Sequence, residues 1–205
     1  MKIDLTLDII EHQHFHTQFY SIRKQILRTT RFDEAEVERL LMTYYKFALV
    51  SGHKRMTRAQ FSTYCQTLMN LELEWIDTII TFIDPSSKNS ISPEDFVYLF
   101  DVWCFSNLEE KIKFCFGVYD TSATGFLTRE SLRKACKDMV HGSTPEDTEE
   151  LTQEYIDFLL RKFDLDRDGK ISFEDYSRTV VKTPLLAEFL GQVYPDLSTI
   201  HAIFG

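Results

Sequence analysis

What the chain lacks narrows its possible roles first. No run approaches about 18 uncharged apolar residues, so no segment is expected to span a membrane. The opening MKIDLTLDII places Asp4 and Asp8 where a secretory leader needs an unbroken apolar core, which predicts no signal peptide. Position 2 is lysine, whereas N-myristoylation requires glycine there. Cys65, Cys104, Cys115 and Cys136 form no CxxC pair and no metal-finger spacing. Each sits in an apolar helical pattern, as expected of buried free thiols in a reducing compartment. There is no Gly-rich phosphate loop, no GxSxG, and no spacing that makes a cysteine and a histidine into a nucleophile and its base. The expectation is a regulatory or adaptor protein, not an enzyme. A net charge of −9 leaves no basic surface for nucleic acid, while it suits cations and basic partner helices.

What is present is a packed chain of 205 residues, 43% hydrophobic and 14% aromatic, enough for one or two domains. One short pattern recurs four times: an aliphatic residue, Ser or Thr, three variable residues, then a large apolar one. It occurs as MTRAQF from Met56, ISPEDF from Ile91, LTRESL from Leu127 and ISFEDY from Ile171, at spacings of 35, 36 and 44 residues. Each copy reads as a strand residue entering a helix whose N-cap is Thr57, Ser92, Thr128 or Ser172, with Pro93 at a first helical position.

An amphipathic helix precedes each copy, on the faces Val37–Leu40–Leu41–Tyr44–Ala48, Trp75–Ile79–Phe82–Ile83, Ile112–Cys115–Phe116–Tyr119 and Leu151–Tyr155–Phe158–Leu159–Phe163. Helix starts are marked by Asp33 with Glu36, Asn107 with Glu110, and Thr144-Pro145 with Asp147. The unit is therefore helix, loop, helix, four times over. The fold expected is all-α: two lobes of paired EF-hands. An N-terminal helical arm (1–31) precedes lobes 32–104 and 105–182, and an apolar helical tail (183–205) follows. Leu185, Phe189 and Val193 place the tail either in the groove of its own C-terminal lobe or in the general core.

The fourth loop, Asp164 to Asp175, carries the strongest chemical signal. A hard divalent cation needs roughly six to eight oxygens converging from a short segment. Asp164, Asp166 and Asp168 alternate as such ligands must, Gly169 permits the sharp turn, the Lys170 carbonyl adds an oxygen, and Ser172 can hold a water. The last ligand is Asp175 where the motif has a bidentate Glu; one methylene shorter, it weakens Ca2+ and narrows the preference over Mg2+ at the same site. The third loop keeps Asp120 and Gly125, but its other side-chain ligands are hydroxyls, and the final Ser131 cannot replace a carboxylate. The second loop has Lys88 in place of a ligand and Asn89 in place of glycine. The first contains His53, Lys54 and Arg55 and no carboxylate. His12 and His16, within HQHFH, are spaced as two zinc ligands on one helix; no third ligand accompanies them, and surface histidines are the simpler reading.

With four hands of which the first is degenerate, the chain resembles the neuronal calcium sensors and, more closely, the calaxins, EF-hand proteins of ciliary outer dynein arms. The residues that carry the resemblance are NLEEKIKFCF from Asn107, DLDRDGKISFEDY from Asp164 and LLAEFLGQVYPD from Leu185, within a likeness spanning roughly 35–200. It implies a Ca2+-binding regulator of ciliary or flagellar beating, located in the cytoplasm and the axoneme. The partners implied are axonemal dynein, its docking complex or tubulin, with no nucleic acid and no membrane. The second and third loops depart from that family's pattern, which implies a reduced calcium response. Two other roles stand beside it: a calcium-insensitive structural component of the axoneme, and a sensor of the neuronal or calcineurin-B type acting on a channel or phosphatase.

Overall fold

The computed structural model describes residues 4–49, 55–86, 89–137 and 139–204. Two compact units emerge, Met1–Ser106 together with Val193–Gly205, and Asn107–Gln192.

The first unit opens with α1 (Ile9–Thr29), started by a capping box between Asp8 and Glu11. α1 buries Phe15, Phe19 and Ile26, with Phe15 and Phe19 set against Tyr45 and Tyr44 of α2 (Glu34–Leu49). Asp33 and Glu36 cap α2 reciprocally, and Val37, Leu40, Leu41, Tyr44 and Ala48 are all buried, as the spacing predicts. β1 (Met56–Thr57) leads into α3 (Arg58–Met69), and after α4 (Leu73–Ile83), β2 (Ser90–Ile91) leads into α5 (Pro93–Phe105). The two strands pair antiparallel, Met56 opposite Ile91. Tyr44 pins them together: its hydroxyl donates to the Ile91 carbonyl at 2.6 Å and accepts the Met56 amide at 3.0 Å.

The second unit repeats the plan with α6 (Leu108–Tyr119), β3 (Phe126–Leu127), α7 (Arg129–Cys136), α8 (Pro145–Phe163), β4 (Ile171–Ser172) and α9 (Phe173–Lys182). β3 and β4 pair antiparallel, Leu127 opposite Ile171. All four expected N-caps form: the side chains of Thr57, Ser92, Thr128 and Ser172 accept the amides of Gln60, Asp95, Ser131 and Asp175. A repeated six-residue pattern thus becomes a repeated physical device, a paired strand running straight into a capped helix.

Two apolar faces differ from the sequence expectation. On α4 the buried set is Trp75, Ile76, Ile79 and Ile80, while Phe82 is exposed. On α8 the buried set is Thr152, Ile156, Leu159, Leu160 and Phe163, leaving Leu151 and Phe158 in solvent. Both helices carry two adjacent apolar rows, and periodicity alone does not say which row turns inward.

The tail also differs. It is not one helix: Pro184–Leu186 forms a single 3-10 turn, Gly191 adopts φ 142°, and regular structure resumes only in α10 (Leu197–Phe204). The chain divides at Val193. Before it, Phe189 lies 4.2 Å from the ring of Phe163 and 5.8 Å from that of Tyr176, inside the second unit, and Ala187 and Leu190 are buried. After it, the first unit takes over. The buried indole of Trp103 donates to the Val193 carbonyl at 2.9 Å, α10 lies against α3, and Phe204 sits 5.4 Å from Phe32. Leu185, expected on the apolar face, is 94% exposed.

Candidate metal centre

The fourth loop begins where α8 ends. Asp164 is the C-cap of α8, its amide bonded to the Leu160 carbonyl, so the helix fixes the first carboxylate in place. The loop then folds around that side chain. Asp164 Oδ1 accepts the Asp168 amide at 3.1 Å and Oδ2 the Gly169 amide at 2.9 Å. Asp166 Oδ1 accepts the Asp168 amide at 3.2 Å, and Asp168 Oδ1 accepts that of Lys170 at 3.1 Å. Gly169, at φ 86°, takes a left-handed conformation that other residues reach only with strain.

These bonds bring Asp164, Asp166 and Asp168 together, each offering an oxygen within 4.8 Å of the others. Two oxygens sharing one ion at roughly 2.4 Å can stand no more than about 4.8 Å apart, and the trio keeps within that limit for one hard cation such as calcium. Among the described residues it is the one group of three or more acidic, cysteine or histidine side chains so arranged. The Asp168 amide pulls the Asp166 carboxyl towards a lower pKa. Desolvation, the charges of Asp168 and Asp175, and a hydrogen bond to Asp164 outweigh it, so the group sits above its ordinary value. Carboxylates crowded to the point of resisting ionisation gain most from a cation among them.

Asp175 stands apart from the trio. It is the third residue of α9, buried, with Oδ2 accepting the Ser172 amide at 3.2 Å and its hydroxyl at 2.7 Å. The short side chain that the sequence marks as a weak final ligand also serves as a helix cap. Lys170, expected to offer its carbonyl, sends its ammonium over the Phe126 ring at 3.7 Å, tying this loop to its neighbour. No sequence signal announces that contact; only the strand register brings Phe126 opposite Ser172.

The third loop closes on itself. Asp120 accepts the amide and hydroxyl of Thr124 and, at 2.6 Å, the amide of Gly125, while Ser131 donates its hydroxyl to the Thr128 carbonyl. In the second loop Asp84 accepts the Ser86 hydroxyl at 2.6 Å and Asp95 that of Ser92. Lys88 of that loop, and His53 and Lys54 of the first, lie outside the described residues. No helix among the described residues is long and apolar enough to cross a membrane.

A family model for an EF-hand domain pair matches residues 109–180. Calaxin of Danio rerio is 28% identical over 177 residues, covering 83% of this chain and 84% of that protein. Calaxin of Bos taurus is 33% identical over 122 residues, 59% of this chain and 58% of that protein. More distantly, a recoverin family protein of Dictyostelium discoideum is 22% identical over 190 residues, 82% of this chain and 84% of that protein. The chain is thus all-α, with an EF-hand domain pair matched in its second unit and calaxins among its homologues.

Proposed function

We propose that this protein is a calaxin-like regulator or adaptor of axonemal outer-arm dynein, binding one Ca2+ in the loop Asp164–Asp175. Asp164, Asp166, Asp168, the Lys170 carbonyl and Asp175 supply the protein ligands. The observation that carries the reading is the asymmetry among the loops: among the described residues three carboxylates converge in the fourth, and no such group forms in the second or third. When bound, the ion neutralises the crowded carboxylates and draws on Asp175. Because both Asp175 bonds fall on Oδ2 within the helix cap, any pull on that residue is passed to the start of α9. One-oxygen ligation by Asp175 leaves Mg2+ a competitor at the same site. The similarity to calaxins supports an axonemal location and a dynein or docking-complex partner.

The test is calorimetry of the full chain with CaCl2 and MgCl2, followed by binding to purified outer-arm dynein and docking complex with and without calcium. One site per chain and calcium-dependent binding are expected. A second reading, a structural axonemal component indifferent to calcium, draws on the third loop, which closes on itself through Asp120 without an ion. Binding to dynein unchanged by chelation selects it.

A further inference from the structure

We infer that His12 and His16 form a second metal site, one for a borderline transition-metal ion such as Zn2+, Ni2+ or Cu2+, independent of the EF-hand loops. The two residues lie four apart on α1, one turn along the same face, and their Nε2 atoms share a hydrogen bond at 3.2 Å, whose place a common ion would take. Two nitrogens each about 2.05 Å from one tetrahedral ion are separated by ~3.3 Å, so the observed spacing matches the bite of a chelated metal. The rings meet edge to face with centroids 4.3 Å apart, and both side chains reach solvent, His12 exposed and His16 half-buried.

The backbone that carries them is held rigid from the opposite side. Phe15 and Phe19 are buried against Tyr45 and Tyr44, and Glu11, just before His12, is tied by an ion pair to Lys46 of α2 at 3.1 Å. The helix that carries the pair is thus held in place, so no backbone ordering remains to be done on binding. Among the described residues no acidic, cysteine or histidine side chain joins the two as a third ligand, so water or a partner's side chain completes the coordination. Imidazole nitrogens suit zinc, nickel and copper, whereas calcium takes oxygen, so the two centres do not compete for the same ion. His14, between them in sequence, lies on another part of the helix surface and takes no part.

The experiment is titration of the full chain, its calcium site kept saturated, with ZnCl2, NiCl2 and CuCl2 in turn. Four proteins are compared: wild type, His12→Ala, His16→Ala and His14→Ala, each checked for unchanged helix content. One ion per wild-type chain is expected, with Cu2+ held more tightly than Ni2+. His12→Ala and His16→Ala should each weaken the site at least tenfold, and His14→Ala should leave it unchanged. Equal affinity in wild type and the His12 or His16 variants, or an equal loss in His14→Ala, overturns the assignment.

Discussion

The buried carboxylate of Asp101 on α5 is held by both the backbone and the side chain of Arg31: the amide donates to Oδ1 at 2.6 Å, and the guanidinium donates to Oδ2 at 2.9 Å. The same guanidinium reaches the Phe105 carbonyl at 2.8 Å. Arg31 sits between α1 and α2, so one buried acid on α5 fixes the turn where the N-terminal arm joins the first hand. Exposed ion pairs contribute about 0–1 kcal/mol, but removing the partner of a buried charge costs more. Arg31→Ala should destabilise the protein by about 1–3 kcal/mol, moderated by the surviving amide bond and the half-exposed guanidinium. Urea unfolding checks it, and a loss under about 0.5 kcal/mol would class the pair with ordinary surface bridges.

Asp164→Ala should abolish calcium binding. The residue supplies one ligand, and its two oxygens also organise the loop through the amides of Asp168 and Gly169. Calorimetry is the measure. Persistence of a tight site in this variant would move the ion to the third loop.

Asp175→Glu should strengthen calcium relative to magnesium, on the order of tenfold, about 1.4 kcal/mol. The longer side chain can keep the cap at Ser172 and still reach the trio with both oxygens. An unchanged ratio would mean that the shorter aspartate already reaches as far as the ion requires.

Burial raises the pKa of several acids whose neutral form the fold prefers. Desolvation pushes the Tyr64 and Tyr119 phenols and the Cys65 and Cys115 thiols well above their ordinary values, and Cys104 to about 12. For each, the folded value exceeds the unfolded one. The contribution to stability is therefore complete below the unfolded value and is lost as pH climbs towards the folded one. Unfolding free energy should hold steady up to the ordinary thiol value of 9.0 and fall from there towards about 12. Chemical denaturation along a pH series measures it, and a profile still flat above pH ~10 would contradict it.

Removal of Val193–Gly205 should leave the second unit intact and loosen the first. Trp103 loses the carbonyl that its indole bonds, and Phe32 loses the Phe204 ring. A red-shifted Trp103 emission is expected in a Trp75→Phe background, with calcium stoichiometry unchanged. Loss of the calcium site as well would show that the two units do not stand alone.

The repeat is legible from local sequence. The hydroxyl three residues before Gln60, Asp95, Ser131 and Asp175 has one favourable use, as a helix cap. Alternating aspartates before Gly169 have few uses besides a cation. These are local matters, settled within a dozen residues. Long-range packing resolved what local chemistry leaves degenerate. α8 offers two apolar rows, and packing in the second unit chose the one through Ile156 and Phe163, leaving Phe158 53% exposed. The tail offers apolar side chains suited to any groove. Pro184 and the left-handed Gly191 broke its helix, so Phe189 fills the second unit while Phe204 serves the first. Asp101 shows the same limit: it is the one acid beyond the first turn of PEDFVYLFDVWCF, but its partner is Arg31, 70 residues away, and only the folded chain brings the two together.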